Sequence, residues 1–150
     1  MIPSTAQRVP KHTAEHVNDE IRRQTESNVV RYGARGPEAI DHRLAELERE
    51  WDIERTLEAN AATLATVGAG LALLVDRRFA VIPLVVGGFL LQHAVQGWCP
   101  PVPVFRRMGY RTQTEIDHER YALKALRGDF REVRSGDITA PRRALDAARA

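Results

Sequence analysis

The sequence predicts an all-α protein, a two-helix transmembrane hairpin flanked by cytoplasmic amphipathic helices. Three observations predict it. Ala59–Val75 and Phe79–Phe105 carry no Asp, Glu, Lys or Arg, and only Asp76, Arg77 and Arg78 separate them, in a chain with 22 basic and 20 acidic residues. Upstream, Ile40, Leu44, Leu47 and Trp51 recur at helical steps, a narrow apolar seam suited to one partner helix. Downstream, Thr112-Gln113-Thr114-Glu115 has the capping-box pattern that opens a helix.

Taken in order, residues 1–12 contain Pro3 and Pro10 and little apolar material, and read as a disordered lead. Residues 13–56 read as cytoplasmic helices. Thr13 has the chemistry of an N-cap, and Val17, Ile21, Asn28 or Val29, and Tyr32 follow near helical spacing up to Gly33. Gly36-Pro37 breaks the chain, because glycine favours helix ends and proline helix starts. From Pro37 one long helix is expected to run without interruption into the first apolar stretch.

Residues 57–105 read as the hairpin, with spans at about 57–75 and 79–98. The charge-free part of the first span is short, roughly 26 Å at the helical rise, against a hydrocarbon core of about 30 Å. It is rich in small residues. Ala61, Ala65 and Ala69 lie four apart, as do Ala62, Thr66 and Gly70, a spacing that lets helices approach closely in lipid. The second span places Pro83 in its first turns, Gly87-Gly88 at mid-span and Trp98 at interface depth. Ala61, Ala65, Ala69, Gly70, Gly87 and Gly88 are thus candidates for helix–helix packing. Cys99-Pro100-Pro101-Val102-Pro103 stops the second helix.

Residues 106–134 read as a cytoplasmic helix, with Ile116, Leu123, Leu126 and Phe130 as its apolar face and Gly128 or Ser135-Gly136 as its end. Residues 135–150 read as a flexible tail. Arg43, Arg49 and Arg55 precede the hairpin, and Arg106, Arg107, Arg111 and Arg120 follow it, against Arg77 and Arg78 in the turn. An excess of flanking arginine marks the cytoplasmic side, so both termini are expected there. The frequent alanine and arginine suggest a bacterial genome rich in G and C.

Candidate chemistry is sparse. The formal net charge of +2 gives no nucleic-acid footprint, and the first 20 residues lack the apolar region of a secretory signal peptide. There is one cysteine, Cys99, so no internal disulfide can form. Cys99 is a candidate reactive thiol, with His93 as a conceivable base. His93 lies six residues earlier, which is not a same-face helical spacing, and a buried small hydrophobe is the plainer reading of Cys99. His93 and Gln92 are polar groups in or near the second span, where ionisable residues are functional suspects. His12 and His16 are four apart, but two ligands do not make a metal site. No phosphate-binding loop, nucleophile elbow or carboxylate pair is present, so no catalytic residue, metal or cofactor is expected. Glu46, Glu48, Glu50, Asp52 and Glu54, interleaved with arginines, read as a solvated helix face.

The run from Asp52 to Ala62 before a small-residue span, and Gly97-Trp98-Cys99-Pro100 after the second, resemble the YgaP-like inner-membrane domain family, a bacterial group of unknown function. The resemblance covers roughly Asp52–Arg111 and extends to the Tyr121–Phe130 segment. It implies a transmembrane hairpin in a bacterial inner (plasma) membrane that often self-associates. Its best-known members carry a rhodanese sulfurtransferase domain with its own catalytic cysteine. This chain has neither that domain nor a second cysteine, so that activity is not implied here. The sequence therefore points to a non-enzymatic, membrane-anchored interaction module. Its expected partners are the lipid bilayer, further copies of itself and a cytoplasmic protein. Two alternatives stand beside it: a membrane redox or sulfur-handling component using Cys99, and a soluble helical oligomer that buries the hairpin.

Overall fold

The computed structural model describes Ser4, residues 6–133 and residues 139–149. These are helical throughout, without a strand: α1 Arg8–Lys11, α2 Glu15–Gly33, α3 Pro37–Leu47, α4 Ile53–Leu74, a 3-10 turn Arg77–Ala80, α5 Val81–Gln96, α6 Val102–Arg107, α7 Gln113–Arg127 and α8 Ala140–Arg149. They form two compact units, one of residues 1–21 with 51–113 and the other of residues 22–50 with 114–150.

The first unit contains α4 and, joined to it by the 3-10 turn, α5. Two helical stretches, Ile53–Leu74 and Arg77–Gln96, are long and apolar enough to cross a membrane. They pack where Gly68 leaves room. A Cβ built on Gly68 would come within 2.7 Å of Ile82 and 2.9 Å of Pro83. Elsewhere the pair presents its large apolar side chains outward, with Leu73 86%, Leu74 87% and Leu84 75% exposed. The core of this unit lies at the opposite end of α4, where Val9, Ile53, Leu57, Cys99 and Val102 are buried together and Phe105 and Tyr110 pack on them.

The expected disordered lead is thus corrected in part, because residues 8–11 form α1 and Val9 is buried in that core. Thr13 does not open a helix. Its hydroxyl donates to the Val9 carbonyl at 2.9 Å, and α2 starts at Glu15. The single helix expected from Pro37 into the apolar stretch is in fact two. It breaks after Leu47, and the Asp52 side chain accepts from the Arg55 amide at 2.9 Å to cap α4. That capping bond favours a new helix over continuation of the old one. Trp51 consequently leaves the seam and lies exposed, with the Arg55 guanidinium 4.3 Å from its ring centre. The proline run expected to stop the second helix is not its end: α5 ends earlier, at Gln96 with Gly97 as its left-handed cap, and α6 starts within the run. Prolines are tolerated there, where amide hydrogens have no helical acceptor.

The second unit buries Ile40, Leu44 and Leu47 of α3 against Ile116 and Leu123 of α7, with Val29 and Tyr32 alongside. Each such aliphatic side chain contributes about 1.5–3 kcal/mol on burial, so this seam dominates the unit. Leu126, expected on the same face, is instead exposed. Glu119 is fully buried, and it is paired. Arg43 Nε donates to its Oε1 at 2.7 Å, and Asn28 Nδ2 donates to its Oε2 at 3.3 Å. Burial works against the Arg43 charge, but the bonds to Glu119 and Glu46 outweigh it and hold its pKa above the usual arginine value. Arg127 forks onto Asp129 at 2.8 and 2.6 Å and reaches Asp41 at 2.6 Å. Residues 139–149 of the expected flexible tail are corrected to a turn and α8, anchored through buried Ala147. Ser135 and Gly136, named as an alternative helix end, lie outside the described residues; α7 ends beside Gly128.

Gly68→Val is expected to destabilise the α4–α5 pair by about 1–3 kcal/mol through overpacking. Gly87→Val, at a position open to space, leaves it nearly unchanged. Denaturant unfolding in micelles measures the difference. The bond from Arg127 holds the Asp129 carboxyl below the usual carboxylate range. Its stabilising contribution is therefore present above the ordinary pKa of about 3.9 and is lost as the pH falls through the lower folded value. Asp129→Asn is expected to cost about 1.5–3 kcal/mol at neutral pH. Melting curves of the two proteins should converge as the medium is acidified below that range.

Candidate functional site

The most unusual chemistry in the first unit lies at the core end of α4 and α5. Glu54 stands in the first turn of α4, where the helix dipole favours a carboxylate. His93 stands in the last turn of α5. Its Nε2 lies 2.7 Å from Glu54 Oε2. Arg8, from α1, donates Nη2 to Glu54 Oε1 at 2.9 Å and Nη1 to the Ala94 carbonyl at 3.0 Å. Three chain segments thus meet on one carboxylate. His93 is only 2% exposed. An ionised carboxylate can only accept, so Nε2 carries the hydrogen of this bond.

The neighbouring backbone is built to admit this cluster. Gly97 closes α5 with φ of 80°, and a Cβ there would come within 2.6 Å of the Arg8 backbone. A side chain at Gly97 would both strain the turn and push α1 away. His93 Nδ1 and Arg8 Nε are buried without a hydrogen-bond partner among the described residues.

Cys99 sits beside this cluster but belongs to the apolar core. It is buried against Leu57 and Val102, and burial pushes its thiol above the usual value, with the Glu54 charge acting in the same direction. The thiolate is the reactive form of cysteine, and this environment disfavours it. His93 is turned to Glu54, and the sequence-based pairing of Cys99 with His93 as base is not formed. Cys99 also borders an apolar cavity of about 170 Å³ lined chiefly by Leu57, Ala61, Leu64, Val86 and Phe89.

The packing candidates divide. Ala61 faces α5 across that cavity, and Ala65 is half-buried, but Ala69 is exposed. Gly70, Gly87 and Gly88 have open space where a side chain would stand, so none of them carries the contact within the pair. That role falls to Gly68, which sequence reasoning missed. His12 Nδ1 is satisfied by the Arg8 carbonyl at 2.8 Å. No group of three or more His, Cys, Asp or Glu side chains suited to a metal occurs among the described residues.

Glu54 and Arg8 were also missed. Glu54 closes an acidic run that otherwise reads as solvated, and Arg8 lies in the expected disordered lead. A histidine within an apolar helix signals that some partner must exist, yet nothing in the spacing selects Glu54 over Glu58. Comparison with family models, curated proteins and solved structures finds no match for this chain.

Glu54→Gln is expected to lower stability by about 1–3 kcal/mol, because it leaves the buried His93 and Arg8 donors poorly matched. His93→Ala should cost less than this, since it leaves the Arg8–Glu54 pair in place. Denaturant unfolding of the full chain in micelles ranks the two.

Proposed function

We propose that this chain is a small bacterial inner-membrane protein. In this reading α4 and α5 form a transmembrane hairpin, both flanking segments are cytoplasmic, and the role is that of a non-enzymatic anchor and interaction module. The single observation that carries the reading is the outward display of leucine, valine and phenylalanine along two helices of spanning length. Apolar surface on that scale is unfavourable in water and marks a lipid or protein environment. The even number of spans and the arginine-rich flanks support the orientation. The likeness of Asp52–Arg111 to the YgaP-like group supports the same hairpin.

Self-association is part of the proposal. Ala69, Gly70, Gly87 and Gly88 leave a close backbone approach open to a second copy, and small residues drive such contacts in lipid. A cytoplasmic protein is the further partner proposed for the charged remainder. The burial of Cys99 weighs against the redox alternative.

Extraction of membranes with alkaline carbonate tests the anchor. The protein is expected to stay in the pellet. Release into the supernatant as a discrete assembly would instead favour a soluble oligomer that buries the two helices.

A further inference from the structure

We propose that the second unit contains a binding site for a phosphate group, in a cavity between α3, α7 and α8. The cavity has a volume of about 230 Å³ and is lined by Leu44, Glu48, Arg120, Lys124, Ala148 and Arg149. Three of these side chains are cationic and one is anionic.

Lys124 carries the argument. It is 4% exposed, and its Nζ donates one hydrogen bond, to the Ala148 carbonyl at 2.8 Å. An ammonium has three donors. Its other two have no partner among the described residues, although they border a polar cavity. A buried charge with unused donors is costly, and an oxyanion in the cavity would satisfy both.

The neighbours fit the same ligand. Arg149 also lines the cavity, and its side chain makes no hydrogen bond or ion pair with any described residue. Arg120 is partly committed, to Asp117 at 2.6 Å and to the Leu47 carbonyl at 3.5 Å. Glu48 is the lone anion of the lining; Asp117 pairs with Arg120 at 2.6 Å and Asp129 lies within electrostatic reach of Lys124, so three cations face one lining carboxylate and two neighbouring ones, a balance that an added phosphate group suits through Lys124 and Arg149. Glu48 can also accept from a hydroxyl or amine carried by the ligand. Burial pulls the Lys124 ammonium below its usual value, so an anion beside it would strengthen its charge. A soluble phosphomonoester and the headgroup of phosphatidic acid share this chemistry. The inference concerns the second unit alone and stands whether or not α4 and α5 cross a membrane.

The test uses the full chain in a neutral detergent, at fixed ionic strength. Titration calorimetry with inorganic phosphate and with glycerol 3-phosphate reports the soluble source. Flotation with vesicles of phosphatidylcholine, with and without phosphatidic acid, reports the lipid source, using chain reconstituted separately for each composition and scored by protection of Arg149 from a guanidine-modifying reagent. The expected result is saturable binding from at least one source, weakened at least about ten-fold in Lys124→Met, the order set by one charge-assisted bond. Lys124→Met should melt no lower than the parent, because it removes a buried charge at similar volume. If it fails to fold, Arg149→Gln, at an exposed position, decides in its place. Binding from neither source, or binding unchanged in the deciding variant, overturns the proposal.

Discussion

Glu54 joins segments that are distant in the chain. Arg8 lies 46 residues before it and His93 lies 39 residues after it. The carboxylate needs both. At the start of α4 it enters a partly buried environment beside Ile53 and Leu57, where an unpaired charge would cost several kcal/mol. Arg8 brings a charge and His93 a second donor, so the two carboxylate oxygens are separately satisfied. The consequence is geometric. Arg8 also binds the Ala94 carbonyl and lies over Gly97, so α1 is held where α5 ends. Val9 then enters the core with Cys99 and Val102. Without this carboxylate, α1 would keep Val9 in the core, the Arg8 bond to the Ala94 carbonyl and the Asn18 bond to the Pro10 carbonyl, but would lose its one ion pair with α4.

The α4–α5 pair is therefore fixed in two places. One is the polar junction at Glu54 and His93, and the other is the contact of Gly68 with Ile82 and Pro83. Between them the small side chain of Ala61 leaves the apolar cavity open. Two helices packed through one glycine and one polar hydrogen bond bury little of their own surface. In water such a pair would be exposed to a large hydrophobic penalty. In hydrocarbon that penalty is absent, and close packing with a few polar bonds is what holds helices together. The economy of this contact is consistent with the proposed membrane setting, because a water-soluble pair would need a wide apolar seam like that of α3 on α7.

Much of the architecture was legible because hydrophobic period and charge-free length are local signals. The two apolar helices, the Ile40–Leu44–Leu47 face and the start of α7 after Thr112 were all readable from neighbours in sequence. The errors share a different cause. The break after Leu47 depends on an Asp52 cap competing with an uninterrupted helical pattern. Trp51 continued the spacing of the seam, yet that break removed it from the face. Arg8, Glu54 and Gly68 matter only through partners that are tens of residues away or on another helix. Gly70, Gly87 and Gly88 drew attention by composition, whereas Gly68 makes the contact because of where Ile82 and Pro83 fall.

The remaining buried polar groups show how the chain disposes of its charge. Arg106 is almost wholly enclosed, yet it donates to Thr13 Oγ1 at 3.2 Å, the Tyr110 carbonyl at 3.1 Å and Asn18 Oδ1 at 2.9 Å. Those bonds tie α6 to the segment before α2 and to the start of that helix. Glu119 is held by Arg43 and Asn28, and Glu54 by Arg8 and His93. In each case the ionisable group is spent on joining elements. A group so engaged is poorly placed to move a proton or attack a substrate, because its bonds must break first. For Cys99 the apolar core instead disfavours the thiolate. A catalytic site needs a group whose burial exceeds its satisfaction. In the second unit Lys124 is the buried cation with donors left over, and the phosphate site proposed above rests on it.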